Sequence, residues 1–402
     1  MSELSYLEKL MDGVEVEWKA VGDIAGYSTT KVDADKLDAT SFVGVDNLLA
    51  DKGGRIDATY QPNTARLTAY EPGDILLGNI RPYLKKVWMA ENNGGCSGDV
   101  LAIRILADCK KIISPEYLYY ALSSDSFFSY SMQHAKGAKM PRGSKDAILN
   151  YQIPIPCPSA PEKSLAIQSE IVRILDKFTA LTAELTAELT MRKKQYNYYL
   201  DQSLSFKEGE VELKTLGEMG TLIRGKRFVK SDIIPKGVPC IHYGEMYTHY
   251  RIWADKAKSY ISVELASKLR KASCGDVVFV SAGETIADIG RGTAWLGDED
   301  VVIHDACFFY KSSLNPKYVA YFSRTNFFHD QIKKSISSGK ISAINAKGFE
   351  KVIIPVPSPE EQARIVAFLD KFDTLTSSIT EGLPREIELR QKQYEYYRDL
   401  LF

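Results

Sequence analysis

Two long stretches of this chain place apolar residues at steps of three and four. In the first, Ile171, Leu175, Phe178, Leu181, Leu185, Leu189, Tyr196 and Leu200 fall on one stripe; in the second, Ile365, Leu369, Phe372, Leu375, Ile379, Tyr394, Tyr397 and Leu401 do. That period predicts two long amphipathic helices. Ser159 with Glu162, and Ser358 with Glu361, read as capping boxes at their starts. Pro359 sits at the first helical position, where its missing N–H costs nothing. Gly382-Leu383-Pro384 interrupts the second stripe and predicts a kink or break there. A lone amphipathic rod must bury its stripe, and each helix offers itself as the other's partner.

The two stretches are copies. Ile153-Pro-Ile-Pro156, Leu175-Asp-Lys-Phe178 and Gln195-Tyr-Asn-Tyr-Tyr199 recur as Ile354-Pro-Val-Pro357, Leu369-Asp-Lys-Phe372 and Gln393-Tyr-Glu-Tyr-Tyr397. The segments before them are copies of a looser kind. Val16-Glu-Trp-Lys19 corresponds to Val211-Glu-Leu-Lys214, and each opens a block. Gly73-Asp-Ile-Leu76 and Gly275-Asp-Val-Val278 are turns that enter apolar strands. Pro115 to Leu122 and Pro316 to Phe322 read as matching helices with proline first. Lys139 and Lys340 align in loops before the Ile-Pro-x-Pro strands. Residues 26–66 and 221–272 share little beyond turn chemistry. The predicted order is a short helical segment over 1–16, a globular block over 17–158, a helix over 159–206, a second block over 207–357, and a helix over 358–402. With the helices antiparallel, the blocks would be related by a pseudo-two-fold axis.

Composition places the 402 residues among soluble multi-domain chains: 45% hydrophobic, 26% charged, with no apolar run of membrane-spanning length. No signal peptide precedes Trp18, and the six cysteines lack any C-x-x-C pair, so reduced thiols in the cytoplasm are expected. A formal net charge of −1 hides an asymmetry. Residues 17–158 carry 16 Lys and Arg against 16 Asp and Glu, whereas residues 212–357 carry 21 against 15. The second block is therefore basic, and local charge is the informative quantity.

Enzymatic signatures are missing. There is no Asn/Asp-Pro-Pro-aromatic motif for amino methylation, no G-x-x-x-x-G-K-[ST] for ATP, and no Asp…Glu-x-Lys nuclease cluster. Gly290-Arg-Gly292 and Lys52-Gly-Gly54 read as turns. Cys240, His242, His304 and Cys307 could supply zinc in principle, but their spacing is not that of a finger, and buried thiols with ordinary histidines are the favoured reading.

Taken over its whole length, the chain resembles the specificity subunits of type I restriction-modification systems. The residues that carry the resemblance are the paired helical segments, the two Gly-Asp turns, and a tandem Thr182-Ala183-Glu184-Leu185, Thr186-Ala187-Glu188-Leu189 in the first helix. The tandem, with the opening Met1-Ser-Glu-Leu-Ser-Tyr-Leu-Glu-Lys, looks like the type IC branch. The resemblance implies an α/β (α+β) fold: two pseudo-repeated target-recognition domains joined by two long antiparallel helices in a coiled coil. It implies a non-catalytic reader of double-stranded DNA with a bipartite site. Two methyltransferase subunits would dock on the helices, and motor-nuclease subunits could join. S-adenosylmethionine, ATP and magnesium would belong to those partners, with no cofactor on this chain and no membrane.

Within that frame, the tandem reads as a ruler. Four helical residues add roughly 6 Å and about 400°. One base pair adds about 3.4 Å and roughly 35°. Basic residues clustered with glycine are the expected DNA contacts. In the first block these are Arg81, Lys85, Lys86, Lys139, Arg142 and Lys145; in the second, Arg224, Lys226, Arg227, Arg291, Lys340 and Asn345. Arginines suit guanine edges, Asn345 an adenine edge, and lysines phosphates. The tyrosines at the helix ends, Tyr196, Tyr198, Tyr199, Tyr394, Tyr396 and Tyr397, either close the helix-to-block junction or dock a partner. A protein-binding adaptor is the competing reading, and a free-standing enzyme the third. Steep loss of DNA affinity with salt separates reader from adaptor.

Overall fold

A computed structural model describes residues 13–207, 209–337, 341–378 and 380–402. The helical segment expected at Leu4 to Met11, together with Lys340 and Ile379, lies outside the described residues. The chain divides into two compact units, one of residues up to 185 with 387–402, the other of residues 186–386.

The first unit opens with β1 (Val16–Ala20), α1 (Val21–Ile24), β2 (Ala25–Tyr27), β3 (Lys31–Asp33), β4 (Phe42–Val43) and β5 (Arg66–Tyr70). It continues through β6 (Ile75–Gly78), β7 (Val87–Met89), β8 (Gly94–Cys96), β9 (Val100–Ile105), α2 (Pro115–Leu122), α3 (Asp125–Gln133), α4 (Lys145–Asn150) and β10 (Gln152–Pro156). Two four-stranded sheets form, in orders β2-β9-β6-β7 and β3-β5-β8-β4, and β1 pairs antiparallel with β10. Strand β6 is buried on both faces, which is why it reads as an unbroken apolar run. Ile75 and Leu77 join the core against the helices, whereas Leu76 joins the core against the second sheet. The Gly73-Asp74 turn is built for this entry. Gly73 has φ 87°, and Asp74 accepts from the Glu71 amide at 2.8 Å and from Arg104 on β9 at 2.7 and 2.9 Å.

The second unit repeats the plan with more strands. Its first half is β11 (Glu212–Thr215), α5 (Leu216–Met219), β12 (Gly220–Arg224), β13 (Val238–Ile241), α6 (Glu245–Thr248), β14 (Trp253–Ala254), β15 (Ser259–Ile261), α7 (Val263–Ala266) and β16 (Lys271–Ala272). Then come β17 (Val277–Val280), β18 (Ala282–Gly283), β19 (Gly292–Trp295), β20 (Val301–Ile303), β21 (Cys307–Ser312), α8 (Pro316–Phe322), α9 (Asn326–Lys333), β22 (Ser342–Ala343), α10 (Ala346–Glu350) and β23 (Ile353–Val356). Sheets run β12-β21-β17-β19-β14 and β15-β13-β20-β16, and β11 pairs with β23 as β1 does with β10. Strand β17 again alternates between two cores, Val277 and Phe279 toward the helices, Val278 and Val280 toward the other sheet. Asp276 takes the part of Asp74, with Lys311 at 2.7 Å.

Three helices carry the copied stripes. The first, Pro161–Ser203, runs unbroken for 43 residues from one unit into the other; Pro359–Ser377 belongs to the second unit; Leu383–Leu401 ends in the first. The break predicted at Gly382 is present, with Gly382 at φ 79°. Each unit pairs one copy's Leu-Asp-Lys-Phe with the other copy's tyrosines. Phe178 stacks on Tyr397 at 5.2 Å in the first unit, and Tyr199 meets Phe372 at 5.4 Å and Phe368 at 5.7 Å in the second. This pairing order is antiparallel. The duplicated polar residues explain why the copies match so closely. Gln168 holds the Ser114 amide (3.0 Å) and Ile112 carbonyl (2.7 Å), while Gln362 holds the Asn315 amide and Pro357 carbonyl, both at 2.9 Å. Asp176 accepts from Tyr120 at 2.5 Å, and Asp370 from Tyr321 at 2.7 Å.

One capping expectation is corrected. Ser358 does accept from the Glu361 amide at 3.2 Å, but the Glu361 carboxylate grips Arg364 instead of reaching back. Ser159 caps nothing: the chain turns at Cys157 (φ 46°), and the helix starts only at Pro161.

Candidate nucleic-acid interface

In the first unit, Lys136 and Arg142 exchange both backbone hydrogen bonds at 2.9 Å, closing a hairpin that carries Lys139 at its exposed tip. The hairpin docks on the loop after β6, through the Ile80–Arg142 bridge and the Arg81 amide to the Pro141 carbonyl at 2.7 Å. Arg81, Lys139 and Arg142 therefore share one surface, flanked by exposed Met140 and Tyr83. Arg81 is exposed, with a left-handed backbone (φ 52°) that only this loop geometry maintains. Arg142 keeps Asp99 at 2.5 Å while remaining more than half exposed. Lys145, three residues on, opens α4, with its ammonium 5.7 Å from the centre of the Tyr27 ring.

The second unit repeats the closing backbone pair 201 residues later; residues 338–340 between its two partners lie outside the described residues. Ser337 and Ala343 exchange backbone bonds, and β22 pairs with β18 on the loop after β17. The positions corresponding to Arg81 and Arg142 hold no arginine here. The basic character moves to the loop after β12, where Arg224, Lys226 and Arg227 are exposed. Arg224 donates to the Asp305 carbonyl (2.8 Å), Lys226 to the Lys268 carbonyl (2.9 Å), and Arg270 to the Arg224 carbonyl (2.7 Å). Gly225 is needed for a reason internal to the protein. A Cβ there would lie 2.3 Å from the Ile303 and His304 carbonyl oxygens, against which the loop is laid.

Beside this loop lies a ring cluster that the spacing of the residues did not disclose. His304 meets Phe228 at 5.2 Å, Tyr243 at 5.1 Å and His242 at 4.7 Å. Burial holds both imidazoles below their ordinary pKa, against Glu245 beside His242 and Asp305 beside His304. Cys240 and Cys307 turn into apolar clusters instead, and burial pushes the Cys240 thiol up to about 12. Among the described residues, no three His, Cys, Asp or Glu side chains are arranged to hold a metal.

Several expected contacts are used within the protein. Lys85 binds Asp125 at 2.7 Å, and Lys86 donates to the Val45 carbonyl at 2.7 Å. Asn345 caps α10, its Oδ1 accepting from the Gly348 amide at 2.9 Å, so its acceptor is occupied. Arg291 pairs with Asp288 at 3.1 Å and lines a cavity with Arg324. These four were chosen on sequence proximity to glycine or to other cations, and proximity does not report where the side chain ends.

Two like scaffolds thus present unlike basic surfaces. The family model for the type I restriction modification DNA specificity domain matches residues 72–191 and again 208–389. The chain belongs to this family. It is similar to the Type I restriction enzyme EcoR124I/EcoR124II specificity subunit of Escherichia coli, 40% identical over 430 aligned positions, covering 100% of this chain and 98% of that protein. The EcoprrI specificity subunit of the same species is 34% identical over 95% of this chain and 93% of its own length. In fold, the specificity subunit matches a chain from a structural study of the assembly and conformational transition of a type I R-M system. That likeness has TM-score 0.62, 20% identity and 96% coverage of both chains. The HsdS subunit from Thermoanaerobacter tengcongensis matches with TM-score 0.51, 18% identity and the same coverage. The protein is accordingly a DNA specificity subunit of a restriction-modification system, not its catalytic component. Such subunits work with other subunits and with DNA. No helix among the described residues is long and apolar enough to cross a membrane.

Proposed function

We propose that the block over 17–158 and the block over 207–357 each read one half of an asymmetric, bipartite DNA site, as a type IC-like subunit acting in the cytoplasm. The observation that carries this reading is the pair of matched backbone closures 201 residues apart, Lys136 with Arg142 and Ser337 with Ala343, flanked by different basic residues. A duplicated frame with divergent contact residues suits two different half-sites. Arg81, Lys139, Arg142 and Lys145 would serve the first half; Arg224, Lys226 and Arg227 the second, with the His304 ring cluster beside them. Arginine forks suit guanine edges and lysines suit phosphates.

The helices would set the spacing and dock two methyltransferase subunits, to which motor-nuclease subunits add. Tyr198 and Tyr396 support the docking. Each is the middle tyrosine of its copy, and they are 62% and 60% exposed, while the tyrosines beside them pack inward. Two like surfaces on one chain suit two copies of one partner. Those partners would bring S-adenosylmethionine, ATP and magnesium.

The test is co-expression with the adjacent methyltransferase subunit and genome-wide mapping of N6-methyladenine by long-read sequencing. A split motif that disappears without this chain supports the reading and gives both half-sites. Methylation at an uninterrupted motif refutes it. Deleting Thr186 to Leu189 should shorten the gap by one base pair or abolish methylation, with both half-sites unchanged. Altered half-sites in the deletion product would refute the ruler.

A further inference from the structure

The two units differ at a matched group of three positions. In the first, Lys52 binds Asp125 at 3.1 Å and Glu395 at 3.0 Å, and Arg398, fully buried, pairs with both carboxylates. The ions fill the space between the recognition loops and the C-terminal helix. In the copied sequence 198 residues earlier, Glu395 and Arg398 correspond to Asn197 and Leu200; Asp125 corresponds to Asn326, 201 residues later. Both carboxylates are gone from these positions, and Asn326 instead donates to Asp201, from its amide at 2.9 Å and its Nδ2 at 2.6 Å.

What stands there in the second unit is an open cavity of about 450 Å³, lined by Asn197, Leu200 and three arginines, Arg251, Arg291 and Arg324. Arg324 is held in place through Nη2, which donates to the Gly292 carbonyl at 2.9 Å and the Arg251 carbonyl at 3.2 Å. Its Nε is buried with no partner, and so is the Nε of Arg291. Burial, then the nearby Arg291, push Arg324 down to about 10. The lining carboxyl, Asp373, is itself pushed up by burial, although Arg251 and Arg324 draw it back. Three guanidinium groups thus line the cavity, Arg291 among them paired with Asp288 at 3.1 Å, and the lining carboxyl, Asp373, is one that burial disfavours as an anion.

We propose that this cavity binds a phosphate group, inorganic or as a monoester, which supplies the negative charge that Asp125 and Glu395 supply internally in the first unit. Guanidinium forks match the oxygens of phosphate in geometry as well as charge. The volume falls in the range of small-ligand sites. The site is separate from the basic loop at Arg224 to Arg227, so its failure would leave the DNA reading untouched.

The test is thermal unfolding of the full chain with inorganic phosphate, ionic strength held constant with chloride, and acetate as a parallel arm. Phosphate should raise the Tm of the second unit by about 2–5 °C at saturation, and acetate should not. Asn197→Glu imports the carboxylate of the first unit. It should raise the Tm without ligand and remove the phosphate response, with DNA affinity unchanged. No phosphate response in the natural chain, an equal response in N197E, or an equal response to acetate would each overturn the proposal.

Discussion

Replacing Arg398 by leucine should not destabilise the first unit, although it removes a fully buried charge. The cluster around it holds three cations, Lys52, Lys85 and Arg398, against two carboxylates, Asp125 and Glu395. The excess is visible in Lys52, which burial and Arg398 push down to about 8. Two Arg398 nitrogens, Nε and Nη1, are buried without a partner; an unsatisfied buried donor costs about 1–3 kcal/mol. Leucine, the residue at the matched position 200, removes those donors and leaves two cations facing two anions. What is lost is the contact with the Tyr394 ring, 5.2 Å away, worth about 0.5–2 kcal/mol, and the pairing with Asp125 and Glu395, both of which keep lysine partners and so are not left uncompensated. The balance lies between zero and a gain of about 2 kcal/mol, in line with buried ion groups replaced by apolar residues of similar size. Asp125→Ala does the opposite. It leaves three cations against one anion and should cost about 2–4 kcal/mol, reduced from the fully buried figure because Asp125 is partly exposed. Calorimetry of the full chain, with hydrogen exchange at residues 45–55 and 81–90 to identify the first unit's transition, measures both. A loss above about 1 kcal/mol in R398L would refute the charge-balance argument.

Further outcomes follow from the candidate interface and its supports. Lys139→Ala should weaken DNA binding about equally across sequences and lower the slope of log affinity against log salt by about 1; an unchanged slope in DNA titrations at several salt concentrations would remove Lys139 from the interface. Gly225→Ala forces the Arg224–Arg227 loop off the β20–β21 turn, so the second half-site should be lost while the first unit keeps its Tm; a fully active G225A would refute the close approach. His242, His304 and His329 all have pKa values lowered mainly by burial. A base whose folded pKa is lowered binds fewer protons folded than unfolded, so its contribution is complete above pH 6.5 and is lost as pH falls through the lowered folded values. The second unit should therefore lose Tm on acidification, and its histidine-to-glutamine variants should lose less.

The helices and the Gly-Asp turns were legible because each is fixed by local periodicity or by one required backbone geometry. The two-residue strands β4, β14 and β16 have no period to read. The Ser159 cap failed because the turn at Cys157 displaced the helix start, a property of backbone and not of the S-x-x-E pattern. Lys85 looked like a surface cation beside Arg81, yet left-handed residues at both positions reverse the chain and bring its ammonium to Asp125. Contacts of this kind join residues far apart in sequence, and only folding brings them together. The same holds for His242 and His304, read from their spacing as ordinary histidines, whose packing into one ring cluster joins residues 62 positions apart.

In each block the first strand pairs with the last, β1 with β10 and β11 with β23. Entry and exit of the block therefore lie side by side, and its interior strands hydrogen-bond within it. A gene segment coding for one block could be exchanged at these two adjoining seams, with the near-identical helical sequences serving as sites of homologous recombination. A block bounded in this way could be replaced whole by recombination at its two seams, where point mutation would have to rebuild a surface residue by residue.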